Sequence, residues 1–268
     1  MSTNLQFSVG KICSEALFMV RANLLAITIA CIPLIVVHVF FITQYQSAMM
    51  QAEPNFSGGF FFTTLVLYPL VAAMAAVRIH RIYLAHEYMQ SALDVVRLSM
   101  RELRFIGWWI LFGISMIVTL GLPLFTITFL VVSESGDVNS ELLISIITLI
   151  SSIPAYWLLS RWSLVLPATA LDHEPRGLAH SWRKSRPYKK QIFILMGVIP
   201  LLAGTVSQLV FAQFSHIGIM LVSGLLFGVF GAYQIALLSL SYRTIVDIER
   251  SRFSKESEPQ QNNEEFPA

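Results

Sequence analysis

Six stretches of this chain, at about 24–43, 60–77, 105–132, 142–160, 191–213 and 217–242, are mainly apolar and contain no Asp, Glu, Lys or Arg. A helix of about 20 such residues crosses a hydrocarbon core roughly 30 Å thick. Nothing in that core can bond exposed backbone groups, so each crossing segment must satisfy its own as a helix. The rest of the chain cannot offset this with a polar surface. Only 13% of its 268 residues are charged and 55% are hydrophobic, whereas soluble domains carry about 25% charged residues. The expected fold is therefore all-α: a polytopic integral membrane protein with six transmembrane helices, the membrane domain occupying residues 1–252. Lys11 and Arg21 precede the first stretch, but its apolar run continues past Cys31 to Thr43. It reads as a span and not as a cleaved signal.

The cations then assign the sides. Lys11 and Arg21 precede the first span. Arg78, Arg81, Arg97, Arg101 and Arg104 follow the second. Arg161, Arg176, Arg183, Lys184, Arg186, Lys189 and Lys190 follow the fourth, and Arg243, Arg250, Arg252 and Lys255 follow the sixth. These are all 18 Lys and Arg residues. The other three gaps hold only Glu53, Glu134, Asp137 and Glu141 among charged residues. Lys and Arg favour cytoplasmic loops, which places both termini inside. An odd number of spans would break this partition. Trp108, Trp109, Trp157 and Trp162 fall at inner span ends, where an indole suits the headgroup layer.

The inner segments are patterned. Leu5, Val9, Ile12, Cys13, Ala16, Leu17 and Val20 recur at helical spacing, predicting an amphipathic helix along the membrane surface. Ile82, Met89, Ala92, Leu93, Val96 and Met100 mark a second such face. A third helix is expected to begin at Pro175, capped by Asp172 or Glu174, and to stop before Pro187. Surface helix, outgoing span, outer loop and returning span would then occur three times. Residues 253–268, rich in Ser, Glu, Gln and Asn, read as a disordered cytoplasmic tail.

Within the spans, the polar candidates are His38, Gln208, Gln213 and Gln234, with no carboxylate to serve as an ion relay. Gly224 and Gly228 form a GxxxG step, and Ala72 with Ala76 a second small-residue face, where helices can approach closely. Pro33, Pro69, Pro154 and Pro200 are expected to kink their spans. Cys13 and Cys31 lack metal or redox spacing. His80 and His86 flank Arg81 and read as interfacial. No phosphate loop, nucleophile elbow, metal-ligand spacing or nucleic-acid module occurs. The chain reads as non-enzymatic, without a cofactor and without nucleic acid as a partner.

The most informative patch runs from Arg161 to Lys190. Between Asp172 and Lys190 it sets Arg176, Arg183, Lys184, Arg186, Lys189 and Lys190 against Asp172 and Glu174. Cations near an anionic leaflet gain roughly 1 kcal/mol each. Arg161, Arg176, Arg183, Lys184 and Arg186 are accordingly the candidate lipid or phosphate contacts. Arg161, Pro167, Asp172 or Glu174, Gly177, Ser181 and Trp182 also carry a resemblance. They are similar to a bacterial six-span inner-membrane family that includes the membrane domain fused to some glycerophosphodiester phosphodiesterases. The likeness covers the six-span plan loosely and Arg161 to Pro200 more closely. It implies an inner-membrane location and no hydrolase, since no phosphodiesterase domain is present. The expected function is a membrane scaffold or accessory protein contacting anionic headgroups, with a membrane protein or a second copy as a further partner. The alternative is a transporter or lipid-translocating protein with a cavity between kinked spans.

The orientation is testable. Single cysteines at Asn55 and Gly136 should label from outside intact cells, and cysteines at Ser91 and Ser185 should not. Labelling at Ser185 without permeabilisation would reverse the assignment.

Overall fold

A computed structural model describes residues 7–49, 56–88, 94, 97–122, 124–126, 129, 140–211 and 217–256. The chain is all-α throughout the described residues. α1 is Val9–Ala22 and α2 Leu24–Met49. α3 is Gly58–Ala85 and α4 Met100–Thr126. α5 is Ser140–Trp162 and α6 Val165–Ala170. α7 is Leu178–Ser185, α8 covers 189–211, and α9 is Ile217–Glu256. Five of these are long and apolar enough to cross a membrane: Leu24–Ala48, Gly58–Ala85, Met100–Thr126, Thr148–Ala170 and Gly224–Ser254. The count from sequence was six. The fifth apolar stretch is helical as α8 but is not among these five, and its side chains beyond Thr205 lie outside the described residues.

Three wide turns, Thr63–Leu67, Ile117–Gly121 and Ile194–Val198, interrupt the α-helical pattern with i→i+5 hydrogen bonds. Each is followed two residues later by a proline: Pro69, Pro123 and Pro200. The residue before each proline donates its N–H five residues back, Tyr68 to Thr63, Leu122 to Ile117 and Ile199 to Ile194. A proline ring clashes with the carbonyl four residues earlier and removes one N–H. That carbonyl belongs in each case to the wide turn, which is a known way for a helix to accommodate such a defect. Pro33 and Pro154 instead sit inside uninterrupted α-helix.

α2, α3 and α9 pack against one another, and α1 lies on α9. α4 joins through α3 and α6, while α8 joins through α5. The buried centre is concentrated where α3, α6 and α9 meet, with Val77, Tyr83, Val165, Ala170, Leu237 and Ile245 almost inaccessible. The outward faces are apolar too. Leu25, Phe18, Leu65, Phe125 and Leu226 are all exposed, as a lipid-facing surface requires.

Several sequence expectations need correction. The apolar face of α1 is divided: Ile12, Ala16 and Val20 are buried where the helix packs on α9, while Leu17 is exposed. The third inner helix begins at Leu178 and not at Pro175. Its N-cap is Gly177 at φ 149°, a conformation natural only to glycine, with no capping side chain from Asp172 or Glu174. α9 continues helical to Glu256, past the tail boundary expected at residue 253, and 257–268 lie outside the described residues. Most of the second inner segment, 89–93 with 95 and 96, also lies outside them.

The small-residue faces divide. Ala76 is buried in the core and Ala72 half-buried. Gly224 lies against the imidazole of His38 on α2, so that a methyl group there would overlap the ring. Gly228 is exposed and has nothing within 4 Å of where a Cβ would stand. Gly224→Leu should therefore lower stability in detergent by about 1–3 kcal/mol through overpacking. Gly228→Leu should stay within about 0.5 kcal/mol of wild type. Equal melting shifts would show that the α2–α9 approach does not depend on Gly224.

Candidate functional site: the inner polar face

The cationic residues gathered at one end of the bundle separate into two groups. One group is built into the fold. Arg161, at the end of α5, is 4% exposed. Its Nε donates to Ser185 Oγ at 3.2 Å and its Nη2 to the Trp182 carbonyl at 2.7 Å. The guanidinium carbon lies 3.7 Å from the centre of the Trp182 ring, and Trp157 stands edge-on to that ring. Ser181 completes the bracket by donating from Oγ to the carbonyls of Arg161 and Trp162, at 2.7 and 3.0 Å. One face of α7 is thereby clasped to the end of α5. A buried guanidinium is tolerable only when its donors are met, and here backbone, hydroxyl and ring face meet them.

Arg78 performs the same task on α3. It is buried, and it donates from Nε to the Asp94 carbonyl at 2.9 Å and from Nη2 to the Arg97 carbonyl at 3.1 Å, with Nη1 left without a partner among the described residues. The connection between α3 and α4 is thus tied to the bundle. Lys184 reaches α9, with Nζ 3.1 Å from Glu249 Oε2 and near the Tyr242 ring. Tyr242 also meets Nδ1 of His173 through its hydroxyl, at 3.2 Å.

Asp172 is the hub that sequence reasoning took for a cap. It sits in the left-handed region at φ 55° after α6. Its Oδ2 accepts from Arg101 Nε at 2.7 Å, and its Oδ1 from Arg176 at 3.2 Å and Arg104 at 3.5 Å. One carboxylate so joins the start of α4 to the loop before α7. Arg176 also pairs with Glu174 at 2.9 Å, and Arg81 pairs with Glu87. α4 begins with a capping box in which Ser99 Oγ accepts from the Arg101 N–H while Glu102 accepts from the Ser99 N–H.

His80 is not interfacial. It is 1% exposed, with Nδ1 2.8 Å from Ser239 Oγ, which joins α3 to α9. His86 is exposed and ends α3 in the left-handed region.

The second group faces outward. Arg183, Arg186, Lys189 and Lys190 are all exposed. Among the described residues, none of these four takes part in an ion pair. They line the turn from α7 into α8, next to Ile194, which is also exposed. Of the five candidate lipid contacts, the structure leaves Arg183 and Arg186 open to the surface. Arg161, Arg176 and Lys184 are turned to internal partners.

In the spans, His38 is half-buried between Tyr68, Phe41 and Gly224, and neither ring nitrogen has a partner. Gln234 Nε2 is likewise buried and unpartnered. The side chain of Gln208 and the whole of Gln213 lie outside the described residues. No group of three His, Cys, Asp or Glu among the described residues is arranged to hold a metal ion.

Comparison of the chain with protein-family models, with curated proteins and with solved structures finds no match.

The hub gives a pH prediction. Burial raises the Asp172 carboxyl, but the hydrogen bonds and charges of Arg101 and Arg176 outweigh it and hold the group below the usual aspartate value. A carboxyl depressed in the folded state adds stability that is complete above its unfolded value and lost as pH falls through the folded one. Asp172→Asn should therefore lower the melting temperature at neutral pH, and the gap from wild type should close in acid. A gap that stays constant down to the acid limit would remove the ion cluster as its cause.

Proposed function

We propose that this chain is a non-enzymatic membrane scaffold or accessory protein that holds anionic headgroups of the cytoplasmic leaflet against the α7–α8 turn. The observation that carries this reading is the separation of the cations. Arg161, Arg78 and Lys184 are used inside the protein, whereas Arg183, Arg186, Lys189 and Lys190 project from one short turn beside an apolar helix. Four cations close to an anionic surface supply roughly 1 kcal/mol each, and the total falls as salt screens them. The six-span count, with α8 as the fifth span, belongs to the same reading, as do two cytoplasmic termini and an inner-membrane location. The cation partition supports the count and the placement of the termini, and the location rests on the family resemblance alone.

The test compares anionic with zwitterionic lipid retained by the purified protein in mixed nanodiscs. Neutralising Arg183, Arg186, Lys189 and Lys190 together to Gln should reduce the anionic preference at least several-fold at low salt. Arg161→Gln should lower stability and reduce that preference less than the fourfold variant does, since it loosens α7 but removes no outward cation. A preference unchanged by the fourfold variant would refute headgroup holding at this turn.

A second reading, transport or lipid translocation, draws on His38 and Gln234. Unpartnered polar groups in hydrocarbon are expensive and often mark a pathway for a polar guest. His38→Phe distinguishes the two, since it should abolish transport and leave lipid retention intact.

A further inference from the structure

Where α1 crosses the inner part of α9, a groove of about 260 Å³ is lined by charges of both signs. Lys11 and Glu15 come from α1, and Arg243 and Asp247 from α9. Ser8 and Thr244 add a hydroxyl from each wall, over an apolar floor of Ile12 and Leu240, both buried. The charges pair only along their own helices. Lys11 Nζ lies 3.7 Å from Glu15 Oε1, and Arg243 Nε lies 3.8 Å from Asp247 Oδ2. Both distances are long for a charge-assisted hydrogen bond, and the four side chains remain between 42% and 69% exposed. Pairs of this kind are weak. A guest that offers better partners displaces them at little cost.

The groove stands at a defined depth. α1 leads directly into the first apolar stretch at Leu24, and the last apolar stretch ends at Tyr242, beside Arg243. Headgroup atoms lie at that level in a bilayer. At 100° per residue, Leu240, Arg243, Thr244 and Asp247 share one face of α9, opposite the face of Tyr242 and Glu249 that receives α7. The groove is therefore separate from the α7–α8 turn.

We propose that this groove binds a phosphoethanolamine group. The phosphate lies between Lys11 and Arg243, where a guanidinium offers paired donors to phosphate oxygens, and Ser8 and Thr244 donate to the remaining oxygens. The primary ammonium donates to Glu15 and Asp247. Phosphocholine is a poor match: its quaternary ammonium has no N–H for the carboxylates, and no aromatic ring lines the groove to receive it. An anionic glycerol headgroup leaves Glu15 and Asp247 facing a like charge. The same chemistry is presented by a phosphatidylethanolamine headgroup in the membrane and by free O-phosphoethanolamine in solution.

The experiment follows the melting temperature of the purified full-length protein in detergent. The additives are short-chain phosphatidylethanolamine, phosphatidylcholine and phosphatidylglycerol of equal chain length, and free O-phosphoethanolamine. Phosphatidylethanolamine should stabilise more than the other two lipids. Asp247→Asn and Arg243→Gln should each weaken its apparent affinity about tenfold, the scale of one lost charge-assisted contact. Stabilisation by the free compound as well would support the site and assign it a soluble source; stabilisation by the lipid alone supports the site with a membrane source. Equal stabilisation by phosphatidylcholine, or wild-type response from both variants, would overturn the proposal. Should an α9 variant fail to fold, Lys11→Gln and Glu15→Gln on the other wall carry the same expectation. The variant neutralised at Arg183, Arg186, Lys189 and Lys190 should keep the full ethanolamine response, so a failure at one site is distinguishable from a failure at the other.

Discussion

A buried guanidinium cannot turn to water and must draw its partners from the protein, and at the cationic end of this bundle that requirement organises the chain. Arg161 meets it with a carbonyl, a hydroxyl and an indole face, all belonging to α7. Arg78 meets it in part, with two carbonyls in the link between α3 and α4, while its Nη1 is buried without a partner among the described residues. Because backbone carbonyls are the acceptors, the arginines fix the path of the chain and not merely the position of one side chain. Removing one leaves buried acceptors unmet, which costs about 1–3 kcal/mol for each group.

The arrangement has a consequence for the surface. Ser181, Trp182 and Ser185 turn one side of α7 toward α5, so Arg183 and Arg186 project from the other. Asp172 holds the preceding loop through Arg101, Arg104 and Arg176 and limits how α7 can be presented. The headgroup contacts proposed for the α7–α8 turn thus depend on the internal cations for their placement. Away from this face the fold depends on shape more than on charge. Gly224 admits the His38 ring, and three wide turns stand before three prolines.

The apolar helices were legible because hydropathy is a one-dimensional property and the spans need nothing from distant residues. α1 was legible through periodicity, and α7 through the prolines that bracket it, although its start lies at Leu178 and not at Pro175. What each face meets was not. The face of α1 marked by Ile12, Ala16 and Val20 suits lipid and protein equally, and only the fold shows that α9 covers it. Gly224 and Gly228 look equivalent in sequence, yet one meets an imidazole and the other open space. Arg161 reads in sequence as a candidate lipid contact, but its partners are some twenty residues away and on another helix. Asp172 and Arg78 were missed as organisers for that reason: their partners lie on other elements or in carbonyls that no motif encodes. The prolines were a partial signal, since a wide turn precedes Pro69, Pro123 and Pro200 whereas Pro33 and Pro154 sit in uninterrupted α-helix.

The central claim is that Arg161 holds α7 in place. Hydrogen exchange of the α7 amides, 178–185, in wild type and Arg161→Gln tests it most directly. The account predicts a selective loss of protection there, with α2 and α3 exchanging as in wild type. Protection of α7 equal to that of wild type in a folded Arg161→Gln protein would contradict it.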